Sequence, residues 1–315
     1  MGRVMTQVLV SEYGPDEFIK RISDPAWFQS LGTVLAFDWN ASGLTTILTA
    51  ALKEAIRGQE KDLGIFICGG KGKTSRKTPD EILFWGERLN LGPAQANNLV
   101  YNSKMAAKVD SSLVQDGFQI YHHSFFFSKN GAWTVVQQGM NTGNQTARRY
   151  HWYSENLEDL INEPHSGIIS QMTMGSSLNM TASSSSKTRD TSVKLVAAGF
   201  STLMSDIRLV RKHTSELSQM VSLERTAHIH TGSHLRGGQN ERLTLLHLAN
   251  KEFNHHPVEG EEFWNSPYLE RILAKLADQK PQDYEKLLAT RGVGPKTVRA
   301  LALVAEIIYG AKPSY

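Results

Sequence analysis

Residues 282–309, QDYEKLLATRGVGPKTVRALALVAEIIY, have the pattern of two short helices joined by a glycine turn. An amphipathic run containing Leu287 and Leu288 leads into the turn Gly292–Gly294. Pro295 follows, and proline suits a first helical position because its missing N–H is not needed there. Glycine accepts the positive φ of such a turn and lets a ligand approach the backbone closely. The pattern therefore predicts a helix-hairpin-helix.

The start of the second predicted helix is a candidate anion site. N–H groups in a first helical turn have no intrahelical acceptor, and the helix dipole favours negative charge there. The amides of Gly292 and Gly294, the charge of Lys296 and the hydroxyl of Thr297 are predicted to bind nucleic-acid phosphates without reading sequence. The alternative is an ordinary helix pair closed by a glycine turn.

The composition is that of a globular protein. The chain has 315 residues, 40% hydrophobic and 21% charged, which is enough for two domains with buried cores. A net charge of +3 does not by itself predict a nucleic-acid partner, but the basic residues are clustered. A single cysteine, Cys68, excludes an internal disulfide and is expected to be buried. No segment has the length and apolarity of a membrane span or a signal peptide, so we expect a cytoplasmic protein.

The pattern of elements predicts an α+β fold. Apolar runs at 34–40 and 63–68 are typical of buried strands, and helical patterns follow each of them. Residues 118–140, FQIYHHSFFFSKNGAWTVVQQGM, predict a β-hairpin that turns at Asn130-Gly131. We therefore expect a mixed α/β N-terminal domain with a β-hairpin, followed by a mainly helical C-terminal domain.

Three regions follow from this pattern. Residues 1–172 are predicted to form the mixed α/β, candidate catalytic domain. Residues 173–191 are rich in serine and threonine and predict a flexible linker. Residues 192–315 are predicted to form the helical domain that carries the hairpin at 282–309.

The loop after Cys68, GGKGKTSRKT, is basic and rich in glycine. It differs from a phosphate-binding P-loop because Ile67 stands where the first glycine is required. Lys71, Lys73 and Arg76 are predicted to contact nucleic-acid phosphates. A plain solvated basic loop is the alternative.

The predicted hairpin supplies candidate catalytic residues. Alternation along a strand would place Tyr121 and His123 on one face and His122 on the other. Histidine, glutamine and arginine together can hold a phosphodiester, activate water or read a base edge. The candidate catalytic residues are Asp38, His122, His123, Gln138 and His151, and the additional nucleic-acid contacts are Arg148 and Arg149. Filling of the sheet surface by aromatic and histidine side chains is the alternative, and Asp38 is also a candidate helix N-cap.

A histidine cluster is a candidate metal site. His228 and His230 would share one face of an extended segment, and His234 could complete a three-nitrogen site. A divalent metal, namely magnesium, manganese or zinc, is thus a possible cofactor. Surface histidines beside a glycine-rich turn are the alternative.

Several strings resemble a prokaryotic family, domain of unknown function 763. The strings span nearly the whole chain. They are SDPAWFQSLG (23–32), LAFDWNASGLTT (35–46), GGKGKTSRKTPDEI (69–82), YHHSFFF (121–127), WTVVQQGMN (133–141), ARRYHW (147–152) and RGVGPKTVRALALVAEIIYG (291–310). The resemblance implies a soluble prokaryotic protein that pairs a distinctive N-terminal domain with a helix-hairpin-helix.

The chain departs from this family at three places. Asn40 stands where members have a histidine, so a catalytic role for that turn is not carried over. The apolar lead of the family is largely missing before Tyr13, and members continue beyond the position of Tyr315. A divergent member and a shortened one both fit these departures.

The terminal string also resembles the hairpin of base-excision glycosylase/lyases. Lys296 matches their sugar-attacking lysine, but no aspartate follows it in this chain. The leading hypothesis is a DNA-binding and DNA-processing protein, most plausibly a nuclease in repair or recombination, with RNA left open as the ligand. A glycosylase/lyase using Lys296 and a non-enzymatic DNA-binding scaffold are the alternatives.

Overall fold

The hairpin at Asn130-Gly131 forms as predicted, inside a five-stranded antiparallel sheet. The computed structural model describes residues 1–37, 41–143, 145–170, 177–210 and 266–315. Gly131 has φ 103°, which glycine allows in a tight hairpin turn. The order across the sheet is β1-β3-β4-β5-β6, with bounds Ile65–Lys71, Gln119–Ser128, Trp133–Asn141, Thr146–Tyr153 and His165–Ser170. The α+β class is confirmed.

The chain divides into two compact units. Unit 1 comprises Met1–Ser186 with Ser314–Tyr315, and unit 2 comprises Lys187–Pro313. A small second sheet in unit 1 pairs β2 (Val114–Gln115) with β7 (Leu178–Asn179). Asn179 donates its backbone N–H to the carbonyl of Ser314 at 2.9 Å, which is how the last residues belong to unit 1.

Helices pack on both faces of the five-stranded sheet. On one face, apolar side chains of α1 (Gly2–Ser23), α2 (Pro25–Val34) and α3 (Ala41–Ala55) form a core with Ile65, Ile67, Phe126 and Val136. Along α3 the buried residues recur every fourth position: Leu44, Leu48, Leu52 and Ile56, the last just past its end. Each such burial contributes about 1.5–3 kcal/mol. A short helix, α4 (Glu60–Leu63), precedes β1.

The opposite face is covered by α5 (Thr78–Arg88) and α6 (Pro93–Ser112). Phe66 of β1 packs against Trp85 of α5, with ring centroids 5.1 Å apart. Cys68 is buried on this strand as expected, and burial raises the pKa of its thiol.

One predicted strand is wrong. Residues 34–40 were predicted as a buried strand, but Val34 ends α2, and Leu35 and Ala36 form a turn in which Ala36 has φ 60°. Residues 38–40 lie outside the described residues. The helix forms because Asp24 caps it, accepting from the N–H groups of Ala26 and Trp27, with Pro25 at its first position. The helix thus takes in the first residue of the run, and the positive φ of Ala36 is incompatible with a strand.

Within its described residues, unit 2 is helical. Its helices are α7 (Ser186–Ala197), α8 (residues 200–210), α9 (Pro267–Gln279), α10 (Tyr284–Ala289) and α11 (Pro295–Ile307). Within the predicted linker 173–191, β7 forms at Leu178–Asn179 and α7 begins at Ser186. None of the helices in the described ranges is both long and apolar enough to cross a membrane.

Candidate functional site

Unit 2 presents a tight turn between α10 and α11. Gly292 has φ 101°, in the left-handed region. A Cβ at Gly292 would come within 2.3 Å of Ile272 Cδ1 on α9. The backbone conformation therefore requires glycine at this position, and a Cβ would also displace the terminal methyl group of Ile272.

At the position of Gly294, by contrast, packing does not require a glycine. It is the N-cap of α11 with an extended φ of −157°, and an added Cβ would meet no heavy atom within 4 Å. No side chain caps α11, so N–H groups in its first turn lack an intrahelical acceptor. A glycine with open space beside these donors leaves room for a ligand to reach the backbone.

Two side chains of α9 donate hydrogen bonds to backbone carbonyl oxygens of this turn. The Tyr268 hydroxyl donates to the carbonyl of Gly292, and Lys275 Nζ donates to that of Arg291, both at 3.1 Å. Lys296 is exposed, whereas Thr297 is only 2% exposed. Lys296 is thus the accessible side chain at the start of α11, and Thr297 belongs to the packed side of the helix.

Unit 1 carries a line of polar residues across four neighbouring strands. Lys71 pairs with His122, His122 with Gln138, and Gln138 with Arg149. Directly opposed residues share a face of an antiparallel sheet, with Cβ atoms about 4.5–5.5 Å apart. We call these four residues the polar row. Four of the predicted site residues therefore converge, from strands β1, β3, β4 and β5.

His122 is a buried, neutral member of the polar row. Its Nε2 lies 3.2 Å from Thr49 Oγ1 and 3.0 Å from Ser124 Oγ. Among the described residues, its buried Nδ1 has no hydrogen-bond partner. Burial, followed by the charges of His123 and Lys71, lowers the pKa of His122 to about 3. At neutral pH the ring is therefore uncharged, with one N–H and one acceptor nitrogen.

Arg149 is a buried cation held by neutral acceptors. It is 2% exposed, and its terminal nitrogens lie 3.2–3.3 Å from Gln29 Oε1, Thr45 Oγ1 and the carbonyl oxygen of Pro25. Within the described part of the chain, no carboxylate forms an ion pair with it. Burial lowers the pKa of Arg149 to about 10.

His151 is the neighbour of Arg149 along β5. Arg149 Nε donates to His151 Nε2 at 2.8 Å, so Nδ1 carries the proton and donates to the carbonyl of Ile22 at 3.0 Å. Burial and the charge of Arg149 hold the pKa of His151 well below its usual range. His151 therefore positions Arg149 as a neutral acceptor.

A β-bulge changes the face of Tyr121. The register of β3 against β4 shifts between Ile120 and His122. Gln138 Nε2 donates to the Tyr121 hydroxyl at 2.8 Å. The alternation predicted from sequence, with Tyr121 on the His123 side, is therefore wrong, because the bulge brings Tyr121 to the polar row.

His123 and Arg148 lie on the opposite face of the sheet. His123 Nε2 is 2.8 Å from Ser103 Oγ of α6, and burial lowers its pKa. Arg148 pairs with buried Asp116. The structure thus separates these two residues from the other predicted site residues.

The same opposite face contains a network that the sequence did not indicate. Asp110 of α6 is fully buried and accepts from Gln137 Nε2 and, at 3.0 Å, from Trp152 Nε1. His165 Nε2 lies 2.6 Å from the other oxygen of Asp110. A lone aspartate inside a helical pattern carries no local signal of such a role, since its partners come from three separate strands.

The comparison with protein families identifies the chain. DUF763, described as "Protein of unknown function (DUF763)", matches residues 1–315. The chain belongs to the DUF763 family. No curated protein and no solved structure matches it significantly. The resemblance noted in the sequence is confirmed, and the activity of this DUF763 protein has to be inferred from its own residues.

Some predicted site residues of this DUF763 protein lie outside the described residues. These are Asp38 and the candidate metal ligands His228, His230 and His234. Among the residues that the structure does describe, no group of three or more histidine, cysteine, aspartate or glutamate side chains could hold a metal ion. The predicted metal site stays a prediction.

Proposed function

We propose that this DUF763 protein binds nucleic acid, with DNA as the leading ligand, by backbone phosphates at the turn between α10 and α11. The observation that carries the proposal is Gly294, where open space adjoins an uncapped helix start. Phosphate oxygens suit such donors because the helix dipole favours anions. Exposed Lys296 adds a charge at the same point. Contacts of this kind bind the backbone without reading bases.

Replacing Gly294 with valine should weaken DNA binding more than tenfold, because a side chain would fill the space through which a phosphate reaches the amides. Lys296→Ala should reduce the slope of log K against log salt by about 0.9, the value for one duplex phosphate contact. Fluorescence anisotropy with single-stranded and duplex oligonucleotides measures both effects. Lys194→Ala, which removes an exposed cation of α7, is the matched control. Unchanged binding by a folded Gly294→Val protein would exclude the turn as the contact.

A nuclease activity is the second candidate function, favoured by the polar row. The reaction requires that substrate reach this buried row. His122 would then accept a proton from water, and Arg149 would stabilise charge on a phosphorane-like transition state. The activity would act in repair or recombination in the cytoplasm. The proposal assigns the chemistry to unit 1 and backbone binding to the turn in unit 2.

Cleavage assays on single-stranded, duplex and branched DNA, with magnesium, manganese or no metal, test the nuclease proposal. We expect His122→Gln to slow cleavage by about 10²–10⁴-fold, the usual contribution of a general base. His123→Gln is the matched control, since the neighbouring residue lies on the other face. Equal losses in both variants would point to a folding defect. If the unmodified protein binds DNA but cleaves none of these substrates, the nuclease proposal is wrong and a DNA-binding scaffold is supported.

A further inference from the structure

The loop between β1 and α5 concentrates positive charge in unit 1. Its 3₁₀ helix, Gly72–Lys77, follows Lys71. The loop exposes four cationic side chains and contains no acidic residue, the four being Lys71, Lys73, Arg76 and Lys77. Four like charges within seven residues repel one another, and a bound anion would offset this repulsion.

Hydrogen bonds fix the shape of this loop. Ser75 Oγ donates to the carbonyl of Gly72 at 2.6 Å, and Thr78 Oγ1 donates to that of Ser75 at 2.7 Å. These bonds restrain the loop backbone, which reduces the backbone entropy that binding a polyanion would cost.

Gly69, which precedes the loop, is held by hydrogen bonds to both its backbone N–H and its backbone carbonyl. The N–H of Gly69 donates to Glu81 Oε2 at 2.8 Å, and Lys53 Nζ donates to the carbonyl of Gly69 at 3.1 Å. Gly69 has φ 87°, and a Cβ there would lie 2.3 Å from the carbonyl oxygen of His123. The loop therefore leaves the sheet in one defined direction.

The spacing of the loop cations suits a chain of phosphates. In a 3₁₀ helix, side chains at i and i+3 eclipse and lie about 6 Å apart along the axis. Lys73 and Arg76 have this relation. A duplex strand carries one charge per about 3.4 Å, so this pair spans about two phosphates. The spacing is compatible with contacts to two consecutive phosphates of a polymer backbone.

The loop adjoins the polar row. Lys71 belongs to both, and its Nζ lies 5.9 Å from the centroid of the Tyr121 ring. Tyr121 is half-buried. An aromatic ring beside a cationic loop is a usual feature of nucleic-acid grooves, where it provides a stacking surface for a base.

We infer that the loop Lys71–Lys77 is a second nucleic-acid contact, in unit 1, which binds the phosphate backbone next to the polar row. The assignment of nucleic acid as the ligand of this loop rests on the proposed function. The contact itself depends on residues separate from the turn that contains Gly294. Lys71, which pairs with His122, links this contact to the polar row.

The salt dependence of DNA binding by the full chain tests this inference. The double variant Lys73→Ala/Arg76→Ala should lose at least tenfold in affinity for duplex DNA. Its slope of log K against log salt should fall by about 1.8, which corresponds to two phosphate contacts. Lys61→Ala/Lys129→Ala is the matched control, because it removes two exposed cations of the same unit outside the loop. An equal effect of the control pair, or an unchanged slope in the loop variant, would overturn the inference.

Two further experiments distinguish the loop contact from the turn contact, and nucleic acid from other anionic ligands. Gly294→Val, measured in parallel, reports on the turn. If only the loop variant weakens DNA binding, the loop contact is supported and the turn contact is contradicted. If only Gly294→Val weakens DNA binding, the turn contact is supported and the loop contact is contradicted. Vesicles with about one-third anionic lipid, and inorganic phosphate, serve as alternative probes. Loop-dependent binding to either of these, with no binding to DNA, would overturn the assignment to nucleic acid.

Discussion

Gly292→Ala is expected to destabilise the chain by about 2–5 kcal/mol, the largest effect of any single methyl group added to the turn. A left-handed conformation costs a non-glycine residue about 1–2 kcal/mol. The Cβ would also lie 2.3 Å from Ile272 Cδ1, and overpacking of this kind costs about 1–3 kcal/mol. Urea unfolding of the full chain, followed by circular dichroism, measures the loss.

Gly294→Ala is the matched control for this change. Its backbone is extended, and the added methyl group would meet no neighbour within 4 Å. We expect its free energy of unfolding to stay within about 1 kcal/mol of the unmodified value. Two glycines two residues apart would thus have opposite roles, one for the fold and one for the ligand. Equal destabilisation by both substitutions would refute this division.

Asp110→Ala is expected to cost about 3–5 kcal/mol, because it leaves buried donors without their acceptor. Trp152 Nε1 and Gln137 Nε2 both donate to this carboxylate, and His165 lies against its second oxygen. Chemical unfolding at neutral pH measures the cost. The effect should exceed that of any exposed carboxylate in the chain.

Two controls sharpen the test of Asp110. Asp62→Ala removes an exposed carboxylate and should change stability by no more than about 0.5 kcal/mol. Asp110→Asn keeps the shape but retains only one acceptor oxygen, so an intermediate loss is expected. If Asp110→Asn instead kept full stability and abolished DNA cleavage, the network would have a catalytic role rather than a structural one.

The candidate site was predictable in part from sequence. The placement of His122 and Gln138 on the two strands of one hairpin follows from local patterns. Their direct pairing does not, because a two-residue turn at Asn130-Gly131 would place His122 opposite Gly139, whereas the connection in the structure has three residues, 129–131. The placement of Lys71 and Arg149 in the same row is not local, because it depends on the register of β1 against β3 and of β5 against β4. Residue types suggested these side chains as candidates, and strand pairing alone brought them together.

The two wrong predictions, the strand at 34–40 and the face of Tyr121, also arise from interactions that residue propensity does not capture. The apolar run at 34–40 has strand propensity, but an aspartate cap and a proline start a helix that extends to Val34. Tyr121 joins the polar row because a bulge of one residue reverses the local alternation. Local propensity is a weak indicator wherever caps, bulges or long-range packing supply more free energy.

Sequence by itself determined the local features of this protein: the glycine turn before Pro295, the β-hairpin, the basic loop and the DUF763 membership. These depend on residues close together in the chain, or on strings long enough to be distinctive. Tertiary structure alone decided the partners of the two histidines, Thr49 for His122 and Ser103 for His123. It also decided that Asp110, which no motif marks, holds donors from three strands. The physical reason is that burial and hydrogen-bond partners are set by strand register and helix packing, which join residues far apart in sequence.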